Sequence, residues 1–217
     1  MTSSLALRAA RFRDQNSAGR LLLPNAWDAA SARIFEEAGF TAIGTTSAGI
    51  AYAEGHRDAE QIDRDAMVRA IAKIVKAVSV PVTADIEGGY GPSPDDVAQT
   101  VDDVLDVGAA GVNLEDTAHY GGTAALLGVD EQCERIAAAR DAATRRAVPL
   151  VINARTALLK PKRCSRADGA RRFDRLLLTQ RRQGIHTAGT QRRDVQRRDR
   201  GCEHHADAGG DYGEIHR

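Results

Sequence analysis

The chain has 217 residues, 30 Lys+Arg against 30 Asp+Glu, and 42% hydrophobic residues, enough for one domain with a sizeable core. No apolar run is long enough to span a bilayer, and the N-terminal Met1-Thr2-Ser3-Ser4 lacks a signal peptide's apolar centre, so no membrane segment or leader is expected. Cys133, Cys164 and Cys202 show no C-x-x-C spacing, so neither a disulfide framework nor a zinc site is expected and a reducing, cytoplasmic setting is. The neutral total hides two unlike pieces: residues 1–160 hold 16 Lys+Arg and 22 Asp+Glu, residues 161–217 hold 14 and 8.

In chain order, residues 3–17 read as a short amphipathic helix with Leu5, Leu7 and Phe12 among arginines. Leu21-Leu22-Leu23 reads as a first strand running into Pro24-Asn25-Ala26-Trp27-Asp28, where Asn25 or Asp28 suits a helix cap. A helix is expected over Ala29–Ala38, stopped by Gly39. A second strand is expected over Phe40–Gly44, with Thr45 to Ile50 as a small-residue loop. Met67, Ile71, Ile74, Val75 and Val78 recur at helical spacing within a helix over Ile62–Val78. Pro81 and Val82 open a third strand. Pro94 sits at a permitted early helix position, and Val97, Val101, Val104 and Leu105 form that helix's apolar stripe. Ala110–Leu114 reads as the fourth strand, residues 130–146 as a helix and Val148–Asn153 as the fifth strand.

Strand and helix alternate at intervals of roughly 20–40 residues, which indicates parallel β/α units. Polar and charged residues gather after strands, where a (β/α) barrel and an open doubly wound sheet both place their sites. No G-x-G-x-x-G follows the first strand, which argues against a dinucleotide. The centre of the pattern is Val82-Thr83-Ala84-Asp85-Ile86-Glu87-Gly88-Gly89-Tyr90-Gly91. Asp85 and Glu87 lie two apart at a strand end, hence on one face, above a glycine turn able to approach a ligand closely. Such paired carboxylates suit a hard divalent cation such as Mg2+. Other strand ends bring Ser47 with Gly49, Glu115, and Asn153 with Arg155, while Asp58 lies on a loop. Acids, small residues with free N–H groups and an arginine make a site for a small carboxylate.

Over roughly residues 18–157 the chain resembles the isocitrate lyase/phosphoenolpyruvate mutase superfamily. The resemblance rests on Pro24-Asn25-Ala26-Trp27-Asp28, Thr45-Thr46-Ser47-Ala48-Gly49, the Thr83–Gly91 stretch, Gly111-Val112-Asn113-Leu114-Glu115-Asp116 and Ile152-Asn153-Ala154-Arg155-Thr156. It implies a (β/α)8 TIM-barrel fold, usually oligomeric through a swapped last helix. It also implies Mg2+, or Mn2+, and a lyase or mutase that makes or breaks C–C or P–C bonds in small 2-oxo or 2-hydroxy acids. By the same resemblance Asp85 is the direct metal ligand, Glu87 holds metal-bound water, Glu115 is the third acid of the metal shell, and Asp58, counted with Arg155 as catalytic, supports the water network. Ser47, Ala48, Gly49 and Asn153 bind substrate, and Arg155 neutralises the substrate or its enolate. A cation and a guanidinium at the oxygens of an enolate stabilise charge that develops in the transition state.

Two features depart from the family. The loop Ala118-His119-Tyr120-Gly121-Gly122-Thr123 lacks the Lys-Lys-Cys-Gly-His-type segment of the isocitrate and methylisocitrate lyase branches, so true isocitrate lyase activity is not expected. Residues 1–160 then supply five β/α units only. Residues 161–217 hold thirteen arginines and little periodic apolar patterning, and read as a non-homologous tail, disordered or translated out of frame. The other two reading frames of the coding DNA test the latter: absence of strand–helix patterning in both rejects it. The alternative function is a catalytically inactive, truncated family fragment, for which oligomerisation is doubtful. A nucleic-acid role for the basic tail is not favoured, because acids are interspersed and aromatics are lacking.

Overall fold

The structure is a computed structural model that describes residues 4–119 and 125–156. The tail beyond residue 156, with Cys164 and Cys202, lies outside the described residues. So do Tyr120 to Ala124.

Helix α1 (Ser4–Ser17) precedes strand β1 (Asn25–Ala26), helix α2 (Ala29–Glu37) and strand β2 (Ile43–Thr45). Helices α3 (Ser47–Ala53) and α4 (Arg64–Ala77) lead to strand β3 (Val82–Asp85), helix α5 (Pro94–Asp106) and strand β4 (Gly111–Glu115). Two short strands, β5 (Thr117–Ala118) and β6 (Ala125–Leu126), pair antiparallel as a small hairpin beyond β4. Helix α6 (Val129–Arg145) then returns the chain to strand β7 (Val151–Arg155).

The main sheet has five strands in the order β1-β2-β3-β4-β7, all neighbours parallel. Each strand lies beside its predecessor in the main sheet, which is how successive β/α units build a barrel wall. Period-two alternation divides the faces. Ala84, Val112, Leu114 and Ile152 have no exposed surface and pack in the main core with Ile71, Ile74, Val101, Val104 and Ile136 from the helices. Full burial of each valine, leucine or isoleucine among them contributes about 1.5–3 kcal/mol. The opposite face carries Thr83, Asp85, Asn113, Glu115, Asn153 and Arg155.

The helix starts follow local chemistry. Asp28 caps α2 by accepting from the Ser31 N–H at 2.7 Å, and Ser31 returns a bond to the cap backbone. Ser93 and Asp96 make the same reciprocal box at α5, with Pro94 at its first turn. Caps of this kind are worth about 1 kcal/mol each. Helix α1 differs from the amphipathic face expected for it. Ala6, Ala9 and Phe12 are buried while Leu7 is 61% exposed. Phe12 reaches the start of β4, where a Cβ on Gly111 would lie 2.7 Å from its ring. Glycine there leaves the space that the aromatic ring occupies at the foot of the sheet.

Two expectations are corrected. Leu21-Leu22-Leu23 is not a strand: the backbone joins the sheet only from Pro24, whose carbonyl accepts from Gly44 N–H at 2.9 Å, and Leu22 is 70% exposed. Thr45 to Ile50 is not a loop: Thr45 ends β2, Thr46 caps α3 through its side chain, and Ser47, Ala48 and Gly49 form the helix's first turn. Among the described residues no helix is long and apolar enough to cross a membrane.

Candidate active site

Thr45, Asp85, Glu115 and Arg155 are each the last residue of their strand, on β2, β3, β4 and β7. Strand register lines them up further. Asp85, Asn113 and Asn153 form one row across three strands, and Glu115 and Arg155 begin the next. The Glu115 N–H donates to the Glu87 carbonyl at 2.7 Å, which extends that second row past the end of β3.

Asp85 is 7% exposed. Its Oδ2 accepts from both the N–H (3.1 Å) and the hydroxyl (2.9 Å) of Ser47. Its own N–H donates to Thr45 Oγ1 at 2.8 Å. Its Oδ1 has only long contacts, from the Glu87 N–H at 3.4 Å and Asn113 Nδ2 at 3.5 Å. Asn113 is oriented in turn by a hydrogen bond from Asn153 Nδ2 to its Oδ1. Among the described residues Asp85 has no ion-pair partner. A buried carboxylate with one oxygen gripped by neutral donors and the other nearly bare could hold a cation.

Glu87 is 3% exposed and has a left-handed backbone, φ +48°. Its Oε2 accepts from the Glu60 N–H at 2.7 Å and its Oε1 from the Tyr90 hydroxyl at 3.1 Å. Burial pushes its carboxyl up to about 7, reinforced by the charges of Asp58 and Glu60 and opposed by those two hydrogen bonds. Burial also raises the Tyr90 phenol, with the Glu87 charge adding to it. Glu115 is raised by burial, an effect that Arg155 offsets in part through an ion pair with Glu115 Oε1.

The structure thus brings Asp85, Glu87, Glu115, Asn153 and Arg155 to one end of the sheet, with Ser47 in direct contact with Asp85. Ser47, Ala48 and Gly49 adjoin them, but two of their three N–H groups are engaged: Ser47 with Asp85 and Gly49 with Thr46 Oγ1. Asp58 is exposed and reaches Glu87 and Glu115 through its charge alone, whereas Glu60, two residues on, makes the hydrogen bonds. Among the described residues no three His, Cys, Asp or Glu side chains already stand as a ligand cage. The donor set still fits Mg2+, which keeps several waters and takes one or two protein carboxylates.

Sequence reasoning missed Thr45, Glu60, Tyr90 and Asn113. Period two from Glu115 back to Asn113 was the available signal for the last. The other three are read only through tertiary contacts.

The phosphoenolpyruvate phosphomutase family pattern matches residues 12–176, most of the chain and past Lys160. The chain belongs to the phosphoenolpyruvate phosphomutase family. Its relatives include 2-methylisocitrate lyase of Bacillus subtilis strain 168, 30% identical over 155 residues that make up 68% of this chain and 50% of that one. A crystal structure from Burkholderia cenocepacia J2315, provisionally named a phosphonomutase, is similar with a TM-score of 0.74 at 40% identity, covering 85% of this chain and 73% of that one. The crystal structure of 2,3-dimethylmalate lyase has a TM-score of 0.72 at 28% identity, covering 82% and 61%. An uncharacterised Mycobacterium tuberculosis H37Rv protein is 43% identical over 96 residues, 36% of its own length. This phosphomutase-family chain therefore spans about a third to a half of the curated relatives it matches. Its parallel β/α sheet is of the TIM-barrel type those structures share.

Proposed function

We propose that the strand-end cluster binds Mg2+, with Mn2+ as a substitute, beside a small 2-oxo or 2-hydroxy carboxylate, for lyase or mutase chemistry at a C–C or P–C bond next to a carbonyl. The observation that carries this reading is Asp85: buried, without an ion-pair partner among the described residues, and accompanied by the buried Glu87 and the half-buried Glu115. Bound there, the cation would polarise substrate oxygens and offset the negative charge of the transition state.

The chain's own residues have separable tasks in this reading. Asp85 is the direct ligand, its rotamer fixed by Ser47. Glu87 and Glu115 would complete the acidic surroundings of the cation, to which the charge of Asp58 adds. Arg155 exchanges Glu115 for the substrate carboxylate or enolate oxygen, a guanidinium being suited to planar oxygen pairs. Ser47, Ala48, Gly49 and Asn153 border the space the substrate would enter. The names of similar proteins support a small acid as substrate: 2-methylisocitrate lyase, oxaloacetate decarboxylase, and an oxaloacetate acetylhydrolase crystallised with its product oxalate.

Calorimetric titration of the full chain with Mg2+, followed by oxalate, tests the reading. Uptake of Mg2+ and tighter oxalate binding in its presence are expected. No heat of binding with millimolar Mg2+, alone or with oxalate, would overturn it.

A further inference from the structure

Arg135 lies on α6 and has no exposed surface. Its Nη1 donates to the carbonyls of Pro92 (2.9 Å) and Ser93 (3.3 Å), and its Nη2 donates to the carbonyl of Gly88. Among the described residues no carboxylate is within ion-pair distance of it. The Asp96 carboxylate feels its charge, but beyond ion-pair distance, and a buried guanidinium without a contacting counterion is costly unless its hydrogen bonds are well satisfied. Here they span both ends of one turn. Thr100 on α5 holds the middle, its hydroxyl donating to the Gly89 carbonyl at 2.8 Å, and Glu60 accepts from the Tyr90 N–H at 3.1 Å.

The turn so held is the one that carries Glu87. Glu87 and Tyr90 both have left-handed backbones, φ +48° and +59°, which non-glycine residues keep only under external restraint. The guanidinium spreads its donors over separate nitrogens and so meets carbonyls at both ends of the turn; an ammonium has its three donors on one nitrogen, and a neutral amide has only two.

We propose that Arg135 is a positioning residue for the cation site: by clasping the carbonyls of Gly88, Pro92 and Ser93 it holds the Glu87 carboxylate between the Glu60 N–H and the Tyr90 hydroxyl. The role rests on the cation-binding reading above, and it acts through the turn, not through contact with metal or substrate.

The test uses the full chain with Arg135→Met, Arg135→Lys, Thr100→Val and, as a control on the same helix, Ile136→Val. Two readouts are taken: Mn2+ affinity by electron paramagnetic resonance, and amide hydrogen exchange in the metal-free chain. Arg135→Met is expected to weaken Mn2+ about tenfold, as loss of a supporting partner does at metal sites. It should also speed exchange at the Glu60 and Tyr90 amides while leaving the amides of α4 unchanged. Arg135→Lys should recover part of both effects, Thr100→Val should move both less, and Ile136→Val neither. Should Arg135→Met not fold, the lysine and valine variants decide. Unchanged affinity and exchange in the folded variants overturn the proposal, as does equal acceleration throughout α4, which marks general destabilisation. Failure of the unmodified chain to take up Mn2+ overturns the cation reading and this role together; uptake that the variants leave unaltered overturns the role alone.

Discussion

Asp85→Asn is expected to abolish the response to Mg2+ and, in its absence, to make the chain more stable. The two effects have opposite sign because, among the described residues, the carboxylate has no ion-pair partner, and the proposed cation would supply one. Asn keeps an oxygen for the Ser47 N–H and hydroxyl, and its amide falls where the Glu87 and Asn113 donors are already long, so little hydrogen bonding is lost. What disappears is a charge beside two other acids, one of which, Glu115, is raised in part by Asp85 itself. Relief on the order of 1 kcal/mol follows from Coulomb repulsion in a partly screened site, or roughly 2–4 °C in melting temperature. Mg2+ affinity should fall by about 100-fold or more, since even supporting partners are worth 10–100-fold. Thermal melts with EDTA and with Mg2+ measure both. A variant that loses stability without metal, or that retains the Mg2+ response, contradicts this account of Asp85.

The second expectation concerns pH. The Glu87 carboxyl rises from 4.5 to about 7, mainly through burial. A carboxyl with its folded value above its unfolded one holds its proton more tightly when folded. The metal-free chain therefore has this contribution in full below pH 4.5 and loses it as pH climbs to about 7. The change is about 3 kcal/mol across that window. Urea unfolding in EDTA at several pH values should show this slope in the unmodified chain and lose it in Glu87→Gln. The glutamine oxygen can accept from the Glu60 N–H, and its amide can donate to the Tyr90 oxygen, so the hydrogen-bond positions stay filled. Parallel pH profiles for the two chains would show that Glu87 does not carry the effect.

Local chemistry made most of this structure legible from sequence. The stripes Met67–Val78 and Val97–Leu105 are buried as their spacing indicated, and Asp28, Ser93 and Pro94 stand where helices begin. Asp85 and Glu115 end their strands as the pattern indicated, but Glu87 lies beyond β3 on a left-handed backbone, where strand periodicity does not apply. What failed did so for stated reasons. Ser47–Ala53 is short and contains Gly49, so its helix comes from the Thr46 cap, its packing against α4 and the Ser47 bonds to Asp85, not from propensity. Leu21-Leu22-Leu23 has a strand's composition but lies before the sheet, and an apolar run carries no register. Arg135 looks like any helix-surface arginine until α6 is packed on α5 and the β3 turn is found beneath it. The substitution of Glu60 for Asp58 as the hydrogen-bonding acid depends on left-handed backbones at Ala59 and Glu60, which nothing in their identity announces.

Neighbouring rows of the sheet place Asp85, Asn113 and Asn153 level with one another and Glu115 level with Arg155. Their separations are thus quantised by the distance between hydrogen-bonded strands, about 4.8 Å, and no loop can tune them. A designer seeking a new substrate would find these positions fixed like teeth on a comb: they can be exchanged but not moved. The adjustable part is the β5 and β6 hairpin that follows β4, where side chains can change while the groups on the sheet keep their spacing.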